Sequence, residues 1–183
     1  MGNTGGVSRR HDFELRPGEH LDVDDEARTR AREFRDVLGR YCSGVTVVTT
    51  VLDEVPVGLT CQSFTSVSLD PPLVAFLPTR ESRALAAIRR TERFCVNFLA
   101  ADQADLSEAM ASAGDDKFAG VSWTRSSTGS AVLDGAVGHV DCTLHAVHGA
   151  GDHVIVIGDV VDLGVGVDED PLLYHRGRYR TTS

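Results

Sequence analysis

Three apolar runs follow one another between Val45 and Pro78, and this stretch limits the possible folds more than any other part of the chain. Only an acidic turn at Asp53–Glu54 and a Ser/Thr-rich bend, TCQSFTSVS, separate the runs. Short runs rich in Val, Leu, Thr and Phe predict consecutive antiparallel strands, at about Val45–Val51, Val55–Leu59 and Leu73–Leu77. The bend places small polar side chains and backbone N–H groups between two buried strands, where a flat ligand with polar edges could bind.

The rest of the pattern adds helices to a chain that is mainly β. A first helix, capped by Asp22 or Asp24, would carry one apolar face made of Ala27, Ala31, Phe34, Leu38 and Tyr41. Further helices are expected at about Ser82–Arg90 and Asp102–Ala111, the second capped by Asp102, and further strands at about Phe94–Leu99, Gly138–Val147 and His153–Val161. The segment PLLYHRGRYR is expected to form one or two short strands, or a strand and a tail. Six to eight strands that mostly follow one another favour an antiparallel barrel with two or three covering helices.

Composition and charge restrict the partners and the domain plan. The formal net charge of −9 argues against nucleic acid or an anionic membrane as a partner, because both need a basic surface. Residues 1–22 are polar and lack periodicity, so a flexible tail is expected ahead of one domain, 23–183. Neither a secretory signal nor an apolar run of about 20 residues is visible, and the expected location is the cytoplasm.

Several common active-site patterns are missing from the sequence. It contains no G-x-G-x-x-G after a strand, no P-loop and no G-x-S-x-G. The seven histidines form no H-E-x-x-H, and Cys42, Cys61, Cys95 and Cys142 are too widely spaced for a zinc site. No metal is therefore expected, and the cysteines are interpreted as small buried core residues.

A series of motifs in a fixed order resembles the flavin-reductase-like family. These motifs are FRDVLGRYCSGVTVVTT, VPVGLTCQSFTSVSLDPPLVAF, PTRESRALAAI, RFCVNFL, DKFAG, GDHVIVIGDV and PLLYHRGRYR. The resemblance covers about Phe34 to Tyr179 and implies a six-stranded antiparallel Greek-key split barrel with a few covering helices. It also implies an NAD(P)H:flavin oxidoreductase that reduces FMN or FAD, forms a homodimer, and supplies a separate flavin-dependent monooxygenase. The alternatives are a flavin-binding split-barrel module without turnover, or an oxidoreductase that uses bound flavin on another substrate.

The same resemblance implies where the flavin binds. Residues expected to border the isoalloxazine ring are Pro56, Val57, Gly58, Leu59, Thr60, Gln62 and Ser63. Those expected to hold the ribityl chain and phosphate are Leu77, Pro78, Thr79, Ser82, Arg83 and Ala84; taken by themselves, Ser82 is also a plain helix cap and Arg83 a solvated arginine. Ala109 and Met110 stand where similar proteins often carry an Arg and an aromatic residue, and Met110 could still pack on the flavin.

The nicotinamide site is expected at His153 and in the C-terminal segment. Similar reductases place the residue matching His153 near the nicotinamide, which makes it the candidate catalytic residue. Arg176, Gly177 and Tyr179 match a segment that lines the same pocket, although the residues by themselves also fit an exposed tail. The implied reaction is hydride transfer from nicotinamide C4 to flavin N5, which needs ring stacking rather than a protein acid or base.

Overall fold

A computed structural model describes residues 25–114 and 116–182. The expected tail, 1–22, and the proposed caps Asp22 and Asp24 lie outside these residues. The helices are α1 (Asp25–Leu38), α2 (Arg83–Thr91) and α3 (Ala104–Ala111). The strands are β1 (Ser43–Gly44), β2 (Thr46–Leu52), β3 (Val55–Cys61), β4 (Thr65–Leu69), β5 (Pro72–Phe76), β6 (Arg93–Phe98), β7 (Trp123–Arg125), β8 (Ala131–Leu133), β9 (Gly138–Ala150), β10 (His153–Val165), β11 (Leu173–His175) and β12 (Arg178–Arg180).

One antiparallel sheet of seven strands dominates the fold, in the order β3-β2-β6-β9-β10-β5-β4. Its two edge strands, β3 and β4, are consecutive in sequence and only residues 62–64 separate them, so the sheet must curl until its edges approach each other. The expected mainly β architecture with a few helices is confirmed. The sheet has seven strands rather than six because Thr65–Leu69, expected to be part of the bend, is itself a strand.

Two smaller predictions are wrong in detail. The helix expected from Asp102 begins at Ala104, and Gln103 occupies the capping position without a side-chain capping bond. The Gln103 side chain instead bonds to the Ala100 N–H and the Asp134 carbonyl, which fixes a neighbouring loop. No element was expected between α3 and β9, but this stretch contains the two-stranded sheet of β7 and β8.

The core lies on both faces of β2. Val48 faces one cluster, which also contains Phe76, Phe94 and Ile88, while Val47 faces a second cluster with Met110. Because both faces of the strand are covered, its sequence is apolar or threonine at every position instead of alternating with charged residues. This arrangement explains why the first apolar run is nearly continuous.

The apolar side chains of Phe34 and Leu38 on α1 belong to neither cluster. Phe34 is 63% exposed. The expected helix forms but ends at Leu38, so Tyr41, expected on its apolar face, lies after the helix and is 80% exposed. The prediction that all four cysteines are buried is wrong for Cys42, which is exposed just after α1, whereas Cys61, Cys95 and Cys142 are buried. A second row of exposed apolar side chains, Val161, Leu163 and Val165, occupies alternate positions of β10.

The two edges of the main sheet differ in regularity. β3 pairs with β2 without interruption from Leu52–Val55 to Thr46–Cys61. β4 contains a bulge, because Ser66 pairs with Val74 and Ser68 with Leu73, which leaves Val67 as an extra residue. Among the described residues, no helix has the length and apolar character needed to cross a membrane.

Candidate functional site

The β2–β3 turn determines which backbone groups of β3 point away from the sheet. Asp53 and Glu54 both have positive φ, 50° and 66°, as a two-residue type I′ turn requires. In such a hairpin the residues flanking the turn, Leu52 and Val55, form a hydrogen-bonded pair, and the pairs then alternate. Gly58 and Thr60 consequently direct their amides away from β2, at the edge of the sheet. The backbone nitrogen of Pro56 also faces away from β2, but proline has no N–H to donate.

Gly58 is held between the sheet and two side chains. A side-chain β-carbon at this position would lie 3.3 Å from the Met110 sulfur, from the Phe118 ring and from the Val48 carbonyl oxygen. Only a small residue therefore fits here without displacing its neighbours. Met110 itself is fully buried and has no exposed surface with which to contact a ligand, so it supports β3 from behind.

The bend after β3 is open and is fixed by one hydroxyl. Ser63 is exposed and Gln62 is half-buried. The Ser63 Oγ accepts a hydrogen bond from the Leu77 N–H at 3.0 Å and lies 3.3 Å from the Leu77 carbonyl oxygen. One side chain thus holds residues 62–64 against the segment that follows β5.

That segment runs beside the start of β10. Thr79 forms an isolated antiparallel bridge with His153, and the Val154 N–H donates to the Pro78 carbonyl at 3.0 Å. Arg80 continues the contact, since its N–H donates to the Asp152 carbonyl and its Nε to the Gly151 carbonyl. The structure therefore brings His153 next to the residues expected to hold the ribityl chain.

α2 begins at this same point. Ser82 caps the helix by accepting a hydrogen bond from the Leu85 N–H at 3.3 Å. Arg83 is exposed, and its Nη2 donates to the carbonyl oxygens of Ala113 and Gly114 at 3.1 Å and 2.7 Å. Arg83 therefore connects the start of α2 to the loop after α3. Ala84, the next residue, is buried.

His153 is oriented by its neighbour. Its Nδ1 lies 2.8 Å from Asp152 Oδ1, and this hydrogen bond lowers the pKa of the Asp152 carboxyl below its ordinary value. The imidazole is partly buried while the carboxylate is exposed. Since the carboxylate holds Nδ1, the opposite ring nitrogen, Nε2, is the one directed elsewhere.

The C-terminal hairpin lies at a different place within the single chain. Arg176 and Gly177 form its tip, both with positive φ, and the Arg176 N–H donates to the Gly39 carbonyl after α1. The Tyr179 hydroxyl donates to the Ser107 Oγ on α3 at 2.9 Å, and burial raises the pKa of this phenol. Arg176 contacts the turn after α1, and Tyr179 contacts α3 and Tyr174, whereas His153 contacts Thr79 and Asp152.

The predicted flavin residues form a continuous frame. It runs from β3 through the bend to residues 77–79 and the start of α2. Arg83 then connects it to the loop after α3. On the other side, the Thr60 hydroxyl links β3 to α3 by donating a hydrogen bond to the Ser107 carbonyl at 2.5 Å. Ala109 is exposed on α3. Sequence reasoning missed Asp152, which its position directly before His153 could have indicated. It also missed Ser107, whose place in a helix offers no signal. No three His, Cys, Asp or Glu side chains in the described part of the chain could together hold a metal ion.

Comparisons with known proteins show a clear similarity in sequence. Residues 38–183 match the flavin reductase like domain. The chain is 51% identical over 148 residues to the reductase subunit HsaB of a flavin-dependent monooxygenase from Rhodococcus jostii, covering 81% of this chain and 76% of that protein.

Two solved structures extend the similarity to the fold. One is a homologue of nitrilotriacetate monooxygenase component B from Mycobacterium thermoresistibile, with a TM-score of 0.83 and 46% identity over 86% of this chain and 89% of that one. The other is an NADH:FAD oxidoreductase from Streptomyces globisporus in complex with NAD and FAD fragments, with a TM-score of 0.79 and 33% identity over 90% and 98% of the two chains. The chain belongs to the family of the flavin reductase like domain.

Proposed function

We propose that this chain is an NAD(P)H-dependent flavin reductase that supplies reduced FMN or FAD to a separate monooxygenase. The observation that carries the proposal is the edge of β3, where the amides of Gly58 and Thr60 point outward beside the open bend at Gln62 and Ser63. A relative of known structure was solved with NAD and FAD fragments, and another is the reductase subunit of a monooxygenase.

The residues present fit a flavin. A flavin that accepts electrons from the nicotinamide becomes negatively charged along one edge of its ring. Backbone N–H groups of Gly58 and Thr60 would stabilise such a charge in the way that oxyanion-hole donors do. Gly58 is buried, with Met110 and Phe118 against its α-carbon, so its backbone would meet the ring only at the amide edge. Neither role requires a side chain that gains or loses a proton.

The start of α2 would bind the phosphate. The first N–H groups of a helix favour anions, and Arg83 places a guanidinium on the same turn. This guanidinium also holds the Ala113 and Gly114 carbonyls, so the loop after α3 would be positioned together with the ligand. We assign Ser82 both capping and binding roles. Leu77, Pro78 and Thr79 form the wall between this end and His153.

His153 would position the nicotinamide. Asp152 holds the Nδ1 side of the imidazole, which leaves Nε2 for the nicotinamide carboxamide. Arg176, Gly177 and Tyr179 would complete this pocket. Tyr179 is linked through Ser107 to Thr60 at the edge of β3, so we propose that the hairpin approaches the nicotinamide from the β3 side of the pocket and His153 from the other side.

The proposed assembly is a homodimer. Phe34, Val37, Leu38 and Tyr41 form an exposed apolar face of α1 and its following turn, and Val161, Leu163 and Val165 form another on β10. Exposed apolar patches of this kind usually mark contact surfaces. A second copy would cover both faces. We further propose that the folded domain spans residues 23–183 and that the protein is located in the cytoplasm.

Anaerobic reduction of flavin tests the function. We expect the visible absorbance of oxidised FMN or FAD to disappear when NADH or NADPH and the purified protein are present together, and not when the protein is omitted. Transfer of the product to an oxygenase would then be measured by separating the two proteins with a dialysis membrane. Flavin binding without loss of absorbance would contradict the reductase activity and indicate a binding module. Turnover only of a flavin that stays bound to the protein would contradict the proposal that reduced flavin is supplied to a separate monooxygenase.

A further inference from the structure

Ser107 is a buried polar residue in the middle of α3. It shares the inward face of the helix with Met110, and both are fully buried. A serine inside a helix is less favourable than an alanine, and burying a hydroxyl costs free energy unless it is hydrogen-bonded. The contacts of Ser107 should therefore account for its presence.

Two hydrogen bonds from different elements meet at Ser107. The Tyr179 hydroxyl on β12 donates to its Oγ at 2.9 Å, and the Thr60 hydroxyl on β3 donates to its carbonyl oxygen at 2.5 Å. Tyr174 packs edge-on against Tyr179, with ring centroids 5.4 Å apart, and keeps the phenol in place. Ser107 thus connects the strand with the outward amides to the C-terminal hairpin.

We infer that Ser107 is a positioning residue for the reaction, which sets the spacing between β3 and the hairpin that carries Arg176, Gly177 and Tyr179. This inference rests on the proposed function, because it assumes that β3 contacts the flavin and the hairpin contacts the nicotinamide. Two rings that exchange electrons by direct stacking tolerate only small errors in separation. A fully buried link between the two binding segments would keep that error small.

Two variants break the same bond from opposite sides. Ser107→Ala removes the acceptor of the Tyr179 hydroxyl and keeps the carbonyl that holds Thr60, while Tyr179→Phe removes the donor and keeps the ring. We expect each to raise KM for the nicotinamide nucleotide about three- to tenfold and to change the flavin Kd less than about twofold. The double variant should be no worse than either single variant, because both remove one shared interaction.

A matched control distinguishes positioning from general loss of stability. Ser130 is another fully buried serine, in the turn between β7 and β8, where its Oγ lies 3.1 Å from the Thr128 hydroxyl. Ser130→Ala should lower the unfolding midpoint without changing KM. Unfolding midpoints of all variants identify any that has lost its fold, and Tyr179→Phe then decides the question.

Three outcomes would overturn the inference. The first is that the effects of Ser107→Ala and Tyr179→Phe on KM add in the double variant. The second is that Ser107→Ala changes the flavin Kd as much as it changes KM. The third is that both variants keep the KM of an active wild-type protein. A wild-type protein that does not reduce flavin would instead overturn the proposed function itself, and the inference with it.

Discussion

Among single residues, His153 provides the most direct test of the proposed nicotinamide site. Its imidazole lies beside Thr79 and is held by Asp152, so its removal should affect the nicotinamide more than the flavin. We expect His153→Ala to raise KM for NADH about fivefold, the equivalent of one lost hydrogen bond, with a smaller change in flavin Kd. Steady-state kinetics and a fluorescence titration of flavin measure the two quantities. His145→Ala is the matched control, since His145 pairs with Asp159 on another part of β9 and β10. A larger change in flavin Kd than in KM would remove His153 from the nicotinamide site.

The buried Cys142 thiol makes the free energy of unfolding depend on pH in the alkaline range. Burial, with smaller contributions from the charges of Asp141 and Asp159, raises the pKa of Cys142 from 9.0 to about 12. The unfolded chain releases this proton above pH 9 while the folded chain keeps it. The contribution of this group to the free energy of unfolding is therefore fully present below pH 9 and is lost as pH rises toward about 12.

Cys142→Ala should reduce that pH dependence. We expect the fall in unfolding free energy over this interval to be less steep by about 1.4 kcal/mol per pH unit. Urea unfolding at a series of pH values measures the slope for both proteins. Cys42→Ala, which removes an exposed thiol, is the control. Equal slopes for the wild-type protein and Cys142→Ala would contradict the assignment.

At the scale of elements, the bend after β3 depends on the Ser63 hydroxyl. Ser63→Ala removes the hydrogen bonds to both backbone groups of Leu77 and should loosen the connection between β3 and the segment after β5. We expect flavin Kd to rise about fivefold, corresponding to about 1 kcal/mol. Ser66→Ala, on exposed β4, should leave the affinity unchanged when both are measured by flavin titration. A normal flavin Kd for Ser63→Ala would show that the bend does not shape the site.

The same elements show what the sequence could predict. Strands with β-branched runs, the two long strands β9 and β10, and the cap at Ser82 were predictable because each depends on local pattern or chemistry. β4 was missed because its serines and threonines resemble a turn, and only pairing with β5 makes them a strand. The burial of Met110 and the link through Ser107 depend on how α3 packs against β3, which no local pattern contains.

At the scale of the whole molecule, the two exposed apolar faces predict the oligomeric state. We expect the wild-type protein to have the molar mass of a dimer by light scattering. Leu38→Asp on α1 and Leu163→Asp on β10 should each shift it toward the monomer, because a charge in an apolar interface must be desolvated. Val55→Asp, at an exposed apolar position beside the β2–β3 turn, is the control and should remain dimeric. A monomeric wild-type protein at every concentration would contradict the proposed assembly.

The extra residue at Val67 has a consequence for the behaviour of the protein at high concentration. An outer strand with a regular row of backbone donors and acceptors can recruit a strand from another molecule and start aggregation. β4 is such an outer strand and carries the exposed apolar side chains of Val67 and Leu69. The bulge breaks the regular spacing of its backbone groups, so a neighbouring molecule cannot extend the sheet there. The irregularity therefore acts as protection against fibre-like association at this edge of the sheet.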